Sequence, residues 1–296
     1  MSRHAYLIMA HTNPEQLSKL LHLLDDPRND IFIHIDAGAA FCFESLGCAF
    51  NHSEIVPVER LPVLWAEYSM VEAELQLLRK AHDRGGYAYY HLLSGMDLPL
   101  KTQDEIHNFF ENESREFIGT APQEGPYQLN NVRYAYPLLR LRIFRQSKTI
   151  KALSECMALL QKLIGVNRVR DFMAQGWHFY DGWQWFSITD AFASYVLNHE
   201  HLIRRIFTKA KAPDEMFMQT LAMNSPFKER LASTTDLQDG SMRCIDWKRG
   251  KPYTYRKEDF DELILSPYLF ARKFDERVGN GIIEMICDYL KERERL

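Results

Sequence analysis

The sequence predicts an α/β fold with a mainly parallel, doubly wound central sheet. Short apolar runs that suit strands buried on both faces alternate along the chain with segments whose apolar residues recur at helical spacing. Several of these runs end directly in polar residues. The 296 residues suffice for a sizeable core and contain no internal repeat or low-complexity tract, so we expect one domain over residues 1–296.

The first 120 residues carry the clearest signals. A continuous apolar run at 5–10 predicts a strand, and leucines at helical spacing from Leu17 to Leu24 predict the helix that follows it. Further strands are expected at 31–36, 54–58, 87–93 and 116–119, with helices from about 70 to 85 and from Gln103 onward.

The second half is less regular. Residues 127–170 predict irregular structure and then a helix at 150–164. A strand at 183–188 precedes a helix at 191–198, for which Thr189 or Asp190 is the expected cap. A helix should open at Pro213, with Asp214 and Glu215 in its first turn. Strands are expected at 242–247 and 253–255, a helix start near Asp259, and a closing helix after 275.

Charge and cysteine content exclude some function classes. A net charge of -4 and a pI near 6.3 give no broad basic surface, so we expect no nucleic-acid partner. The five cysteines form no CxxC pair, which argues against a zinc knuckle and against a disulfide framework.

The amino terminus bears on localisation. It runs from Met1 to His4 straight into a strand-like segment, without the apolar region of a signal peptide or a transmembrane anchor. We expect a cytoplasmic protein that can contact the inner face of the cell membrane peripherally.

Polar residues cluster where the predicted strands end. His11 follows the first strand, Asp36 ends the second, and a Ser94-Gly95-Met96-Asp97 loop follows the strand at 87–93. Ligands of doubly wound sheets bind beyond the carboxyl ends of the strands. We therefore expect a ligand at this edge, although a histidine in such a loop can also be purely structural.

Several segments together resemble the core-2/I-branching family of glycosyltransferases, which also includes the peptide O-xylosyltransferases. They lie at 5–11, 34–36, 65–73, 92–102 (LLSGMDLPLKT), 182–186 (GWQWF), 213–215 (PDE) and 269–275 (LFARKFD), in the family's order. The resemblance implies a GT-A type, Rossmann-like fold and inverting transfer from a UDP-sugar. It also implies that Glu215 is the general base. By themselves, Asp214 and Glu215 could equally be helix-capping charges.

The resemblance further implies a reaction without a metal, in which basic side chains contact the diphosphate. Lys273 occupies the family's phosphate-binding position. The family's second cation has no matching residue, and Arg249 and Lys251 are the nearby candidates. The literal Asp-x-Asp at Asp259 and Asp261 lies at a predicted helix start and is better explained as helix charges than as metal ligands. No metal or other cofactor is expected.

Other site residues follow from the matched segments. Those assigned to the UDP-sugar are Ala10, His11, Asp36, Trp65, Ser94, Gly95 and Asp97, together with Lys273 and the candidates Arg249 and Lys251. Those assigned to the acceptor are Asp214 and Trp247. Trp65, Trp183 and Trp185 could equally be core residues.

The expected donor is UDP-N-acetylglucosamine or UDP-xylose, and the expected acceptor is a glycan or a lipid-linked saccharide of a bacterial capsule, exopolysaccharide or lipopolysaccharide. Two alternatives stay open. A glycoside hydrolase would need two carboxylates that flank a sugar, which adjacent residues do not supply by themselves. An inactive glycan-binding or nucleotide-sugar-binding module would not need Glu215 and Lys273.

Overall fold

The computed structural model describes residues 2–47, 50–121 and 126–294; Cys48 lies outside these ranges. A six-stranded sheet has the order β3-β2-β1-β4-β7-β6, in which only β7 runs antiparallel to its neighbours. Its strands are β1 (Arg3–Ala10), β2 (Asn29–Ile35), β3 (Glu54–Pro57), β4 (Tyr87–Ser94), β6 (Phe117–Thr120) and β7 (Gly182–Thr189). The predicted α/β class with a mainly parallel sheet is confirmed.

Helices flank this sheet on both faces. They are α1 (Pro14–Leu23), α2 (Ser69–Arg84), α3 (Gln103–Phe110), α4 (Pro126–Arg133), α5 (Lys148–Leu163), α6 (Arg170–Ala174), α7 (Asp190–Asn198), α8 (Glu200–Phe207), α9 (Phe217–Met223), α10 (Leu237–Ser241), α11 (Phe260–Ile264) and α12 (Glu276–Glu294). None of the helices in the described ranges has the length and apolarity needed to cross a bilayer.

The core divides between the two faces of the sheet. Strand β1 carries Leu7 into one apolar cluster and Ile8 into the other, as the alternation of side chains along a strand requires. Because β1, β2 and β4 are buried neighbours that run parallel, their carboxyl ends meet at one edge. Thr189 rather than Asp190 caps α7, since its hydroxyl accepts a hydrogen bond from the backbone N–H of Phe192.

A second sheet was not predicted from the sequence. It has the order β5-β9-β8 and consists of β5 (Asp97–Pro99), β8 (Arg243–Ile245) and β9 (Phe270–Arg272). Strand β8 lies within the strand predicted at 242–247, whereas β5 and β9, with three residues each, are too short for an alternating pattern to be recognised. Its position matters, because β5 follows directly on β4 and brings β9 to the carboxyl edge of the main sheet.

Two predictions of local structure were wrong. The strand expected at 253–255 is irregular backbone that exchanges hydrogen bonds with Lys273. The helix expected from Pro213 is a separate 3-10 turn, Pro213–Glu215, which Met216 divides from α9. Asp214 and Glu215 therefore lie in a 3-10 turn and not in the first turn of an α-helix. Ala212, which precedes this turn, has no side chain that could cap it.

Candidate active site

The ends of β1 and β4 approach each other closely. The Gly95 N–H donates to the Met9 carbonyl over 2.9 Å, and a Cβ added at Gly95 would lie 3.3 Å from the Cβ of Ala10. A larger residue at 95 would push the two strand ends apart. Ala10 and Gly95 thus form the floor of the edge from which the side chains of His11 and Ser94 project.

Asp36 organises the loop that follows β2. Its Oδ1 accepts from the Gly38 N–H at 2.6 Å and its Oδ2 from the Val63 N–H at 2.7 Å. The guanidinium of Arg60, which sequence reasoning missed, donates to the Asp36 carbonyl at 2.8 Å. A carboxylate has about four acceptor positions, so Asp36 keeps capacity for a ligand hydroxyl or N–H.

Asp97 holds a cation rather than lining an open site. Its Oδ1 accepts from Arg272 Nη1 at 2.7 Å, its Oδ2 accepts from the Ser94 N–H at 2.7 Å, and the side chain is buried. The Ser94 hydroxyl accepts from the same Arg272 nitrogen at 2.6 Å. Its burial and these contacts suit Asp97 to positioning Arg272, and its assignment to the donor sugar stays a prediction.

Arg272, Lys273 and Arg145 form a cationic cluster at this edge. Burial lowers the pKa of Lys273, and the positive charges of Arg272 and Arg145 lower it further, while the Asp275 carboxylate opposes them. Burial also lowers the pKa of His11; Asp36 opposes this shift, whereas the three cations add to it. Within the described ranges neither Lys273 nor Arg145 has a carboxylate within salt-bridge distance. The cluster is therefore an electrostatic site for an anion.

Sequence reasoning missed both Arg272 and Arg145. Arg272 directly precedes Lys273 in the matched segment, and its guanidinium lies 4.5 Å from the ring centroid of the buried Trp185. Arg145 lies in the region that carries no recognisable motif, and only the fold brings it to the site.

The turn Pro213–Glu215 is anchored beside Trp65. The Ala212 N–H donates to the Ala66 carbonyl at 3.0 Å, and both alanines have positive φ, 48° and 61°. This left-handed conformation is unfavourable for residues with a Cβ, and such strain concentrates at functional sites. The Trp65 ring is 50% exposed, with Arg145 at 5.9 Å from its centroid, so Trp65 is a surface residue of the site and not a core residue.

Carboxyl groups from helix α2 and from the turn itself meet here. The buried Glu74 of α2 accepts from Gln184 Nε2 of β7 at 2.7 Å, and its other oxygen has no hydrogen-bond partner among the described residues. Burial raises the pKa of Glu74 well above its usual range, and Asp214 adds to the shift. Burial and the charge of Glu215 likewise raise the pKa of Asp214.

Glu215 differs from its two buried neighbours. Its side chain is exposed, while desolvation by the surrounding protein, followed by the charge of Asp181, raises its pKa to about 7. Asp214 by contrast is buried, and its Oδ1 has no hydrogen-bond partner within the described ranges. Glu215 is therefore the more exposed carboxylate of the pair, and the assignment of Asp214 to acceptor binding stays a prediction.

A cleft of about 420 Å³ lies next to strand β7, and β7 in turn contacts the Pro213–Glu215 turn. Trp247, which is 50% exposed, lines it together with Trp183 and Gln238. Asp181, whose charge acts on Glu215, precedes Trp183 by two residues, and Gln219 of α9 donates to the Trp183 carbonyl at 2.7 Å. Two accessible indoles on one cleft suit the apolar faces of a sugar.

Comparison with known proteins identifies the family. The family model of the Core-2/I-Branching enzyme matches residues 4–267. The chain belongs to this family. Membership, together with the mainly parallel sheet flanked by helices, confirms the expected GT-A type fold.

The similar proteins are distant in sequence. A β-1,3-galactosyl-O-glycosyl-glycoprotein β-1,6-N-acetylglucosaminyltransferase of Bos taurus is 23% identical over 319 residues, which cover 98% of this chain and 70% of the relative. Xylosyltransferase sqv-6 of Caenorhabditis elegans is 23% identical over 299 residues, 92% of this chain and 34% of the relative. The crystal structure of apo mouse xyloside xylosyltransferase 1 aligns over 92% of this chain and 97% of that one, with a TM-score of 0.38 and 10% identity.

Arg249 and Lys251, the two candidates for a second diphosphate cation, differ in their surroundings. The Arg249 guanidinium contacts Asp246, donates to Asp259 at 2.6 Å and donates to Glu262 at 3.0 Å. Three carboxylates compensate its charge, which argues against Arg249 as a phosphate ligand. Lys251 is exposed, two residues before Tyr253, whose carbonyl accepts from the Lys273 N–H.

The Asp-x-Asp sequence at Asp259 and Asp261 lies at a helix start, as expected. Asp259 is buried and accepts from the Arg256 N–H at 2.7 Å as well as from Arg249, whereas Asp261 is exposed on α11. Among the described residues, no group of three His, Cys, Asp or Glu side chains is arranged to hold a metal ion. Independence from metals stays a prediction.

Proposed function

We propose that this chain is an inverting, metal-independent glycosyltransferase. It would move N-acetylglucosamine or xylose from a UDP-sugar to a hydroxyl of a glycan or glycolipid. Family membership supports the reaction class, and its relatives are named for transfer of these two sugars. The observation that carries the proposal is the exposed Glu215 carboxylate, with a pKa near 7, together with Lys273 and Arg145, for which no salt bridge is found among the described residues.

Glu215 acts as the general base. Its carboxylate takes the proton of the acceptor hydroxyl while that oxygen attacks the anomeric carbon, and the bond from this carbon to the diphosphate oxygen breaks on the opposite face. A single displacement of this kind inverts the anomeric centre. A base works best when its pKa lies near the operating pH, and the pKa of Glu215 meets this condition.

Lys273, Arg272 and Arg145 neutralise the leaving diphosphate. Negative charge on the leaving oxygen grows as the glycosidic bond breaks, so fixed cations stabilise the transition state more than the ground state. Asp97 and Ser94 fix the guanidinium of Arg272 in advance. The reaction therefore needs no metal to balance this charge.

Glu215→Gln tests the proposal. The amide keeps the shape of the side chain but cannot accept the proton, so transfer should fall about a hundredfold to ten-thousandfold while UDP affinity stays nearly unchanged. Asp214→Asn, next to it but buried, should be milder. Product formation is followed with UDP-N-acetylglucosamine and UDP-xylose against a panel of saccharide acceptors. More than a tenth of wild-type turnover in Glu215→Gln would remove Glu215 from this role.

The same assay separates the alternatives. A glycoside hydrolase would cleave a glycan and leave the UDP-sugar intact. An inactive binding module would bind a UDP-sugar without releasing UDP. Only a transferase should release UDP in proportion to glycosylated acceptor.

A further inference from the structure

Residues 140–170 differ in charge from the rest of the chain. They contain eight basic residues and a single acidic one, Glu155, whereas the whole chain has a net charge of -4. Within this segment Arg142, Arg145, Lys148 and Lys162 are exposed. The segment therefore places a strong positive charge on one side of an otherwise acidic molecule.

Helix α5, at the centre of this segment, exposes most of its large apolar residues to solvent. Its buried side chains are the small Ser154 and Ala158. The half-buried Gln161 next to them bonds the backbone of Ala135 through both its amide oxygen and its amide nitrogen, at 2.8 and 2.9 Å. Ile150 and Ala158 pack against an apolar cluster on this inward face, but all the leucines from Leu153 to Leu163 and Ile164 are exposed on the outside.

The outward face of α5 is apolar. We call it the α5 surface; it comprises Leu153, Leu159, Leu160, Leu163 and Ile164, which are 53% to 76% exposed. Positions 153, 160 and 164 recur at intervals of seven and four, so they form a stripe along the helix. Leu141 and Ile143, also exposed, precede the helix. Soluble monomers rarely leave apolar residues of this size clustered in solvent.

We propose that the α5 surface docks onto an anionic lipid bilayer. Apolar residues on one side of a helix, with lysine and arginine at the flanks, are the features of helices that lie in the membrane interface. The cations that surround the surface complement anionic headgroups. A second copy of the chain is a poorer occupant, because a symmetric contact would bring the same positive charges together.

Helix α5 contacts the candidate active site through the side opposite its apolar stripe. Lys151 of α5 lies 6.0 Å from the centroid of the Trp65 ring, and Glu155 pairs with Lys211, two residues before Pro213, at 2.5 Å. A bilayer on the α5 surface would therefore lie about one helix diameter, roughly 10 Å, from the side of α5 that contacts the site. On the proposed function, this arrangement favours a lipid-linked saccharide as the acceptor.

Flotation of the full chain with vesicles tests the docking. Wild type should float with vesicles of phosphatidylglycerol and phosphatidylcholine and stay behind with phosphatidylcholine alone. The double variant Leu160→Gln, Leu163→Gln should bind about tenfold more weakly or worse, since it removes apolar area at exposed positions and glutamine forms helices about as well as leucine. The matched control Leu265→Gln, Val278→Gln alters equally exposed apolar residues outside the surface and should bind as wild type.

Charge is tested separately. Replacing Arg142, Lys148 and Lys162 by glutamine should weaken binding by about fivefold for each cation, roughly a hundredfold together, and added salt should weaken the wild type similarly. The Glu215→Gln variant should float as wild type, so that a failed docking and a failed catalytic proposal can be told apart.

Two results would overturn the docking proposal. One is that the wild-type protein does not float with anionic vesicles at low salt, or binds them no better than the Leu160, Leu163 double variant. The other is a dimer in solution that the same double variant dissociates, which would show that a second copy covers the α5 surface.

Discussion

Lys273 offers the sharpest test of the cationic cluster. Its side chain is half-buried after β9, and burial together with Arg272 and Arg145 lowers its pKa. No carboxylate within the described ranges pairs with it. Lys273→Ala therefore leaves no stranded partner, whereas loss of Arg272 would leave Asp97 buried without its cation.

The expected loss follows from the chemistry of the ligand. UDP carries a diphosphate and uridine carries none. A hydrogen bond to a charged group contributes about 1.5 to 3 kcal/mol, so the Kd for UDP should rise roughly tenfold to 150-fold. Uridine affinity should hardly change. Transfer should fall further than binding, because charge on the leaving oxygen grows in the transition state.

Calorimetric titration of UDP and uridine into wild type and Lys273→Ala decides the matter. Lys291→Ala, an exposed lysine near the end of α12 with no assigned role in binding, is the matched control and should change neither affinity by more than about 0.5 kcal/mol. Equal losses of UDP and uridine in Lys273→Ala would refute the reasoning and make Lys273 a support of the fold.

Three further predictions concern pH, metals and stability. Activity should rise with pH through about 7 as Glu215 loses its proton, and Asp181→Asn should move this rise to lower pH in a pH–rate profile, because it removes the charge that raises the pKa of Glu215. EDTA should leave turnover largely unchanged; loss of activity that manganese or magnesium restores would contradict the metal-free mechanism. The folded-state pKa of Glu74 is raised, so the free energy of unfolding should be greatest below the ordinary glutamate pKa and fall as pH rises towards the folded value. Glu74→Gln, which mimics the protonated form, should flatten this fall in urea titrations at pH 5 and pH 8, and an unchanged slope would count against it.

Local sequence determined the framework of the fold. The run at 5–10 is apolar without alternation, which suits a strand covered on both faces, and Arg3–Ala10 is such a strand. The helix predicted from Gln103 begins there, because Thr102 and Glu105 form a capping box within four residues. Such strands and helix starts can be predicted from the sequence because the residues that cause them lie within one short segment. The family's motifs, which place Glu215 and Lys273, are equally local.

Tertiary structure decided the electrostatics of the site. Glu74 looks like an ordinary surface residue of an amphipathic helix, yet the packing of α2 against the Pro213 turn buries it beside Asp214. Arg249 and Lys273 are both basic residues near the carboxyl terminus of the chain. Arg249 is surrounded by three carboxylates, and Lys273 by other cations. The charge that a ligand meets depends on neighbours from distant segments, so the sequence determined which residue types were available and only the fold determined which of them remain free to bind an anion.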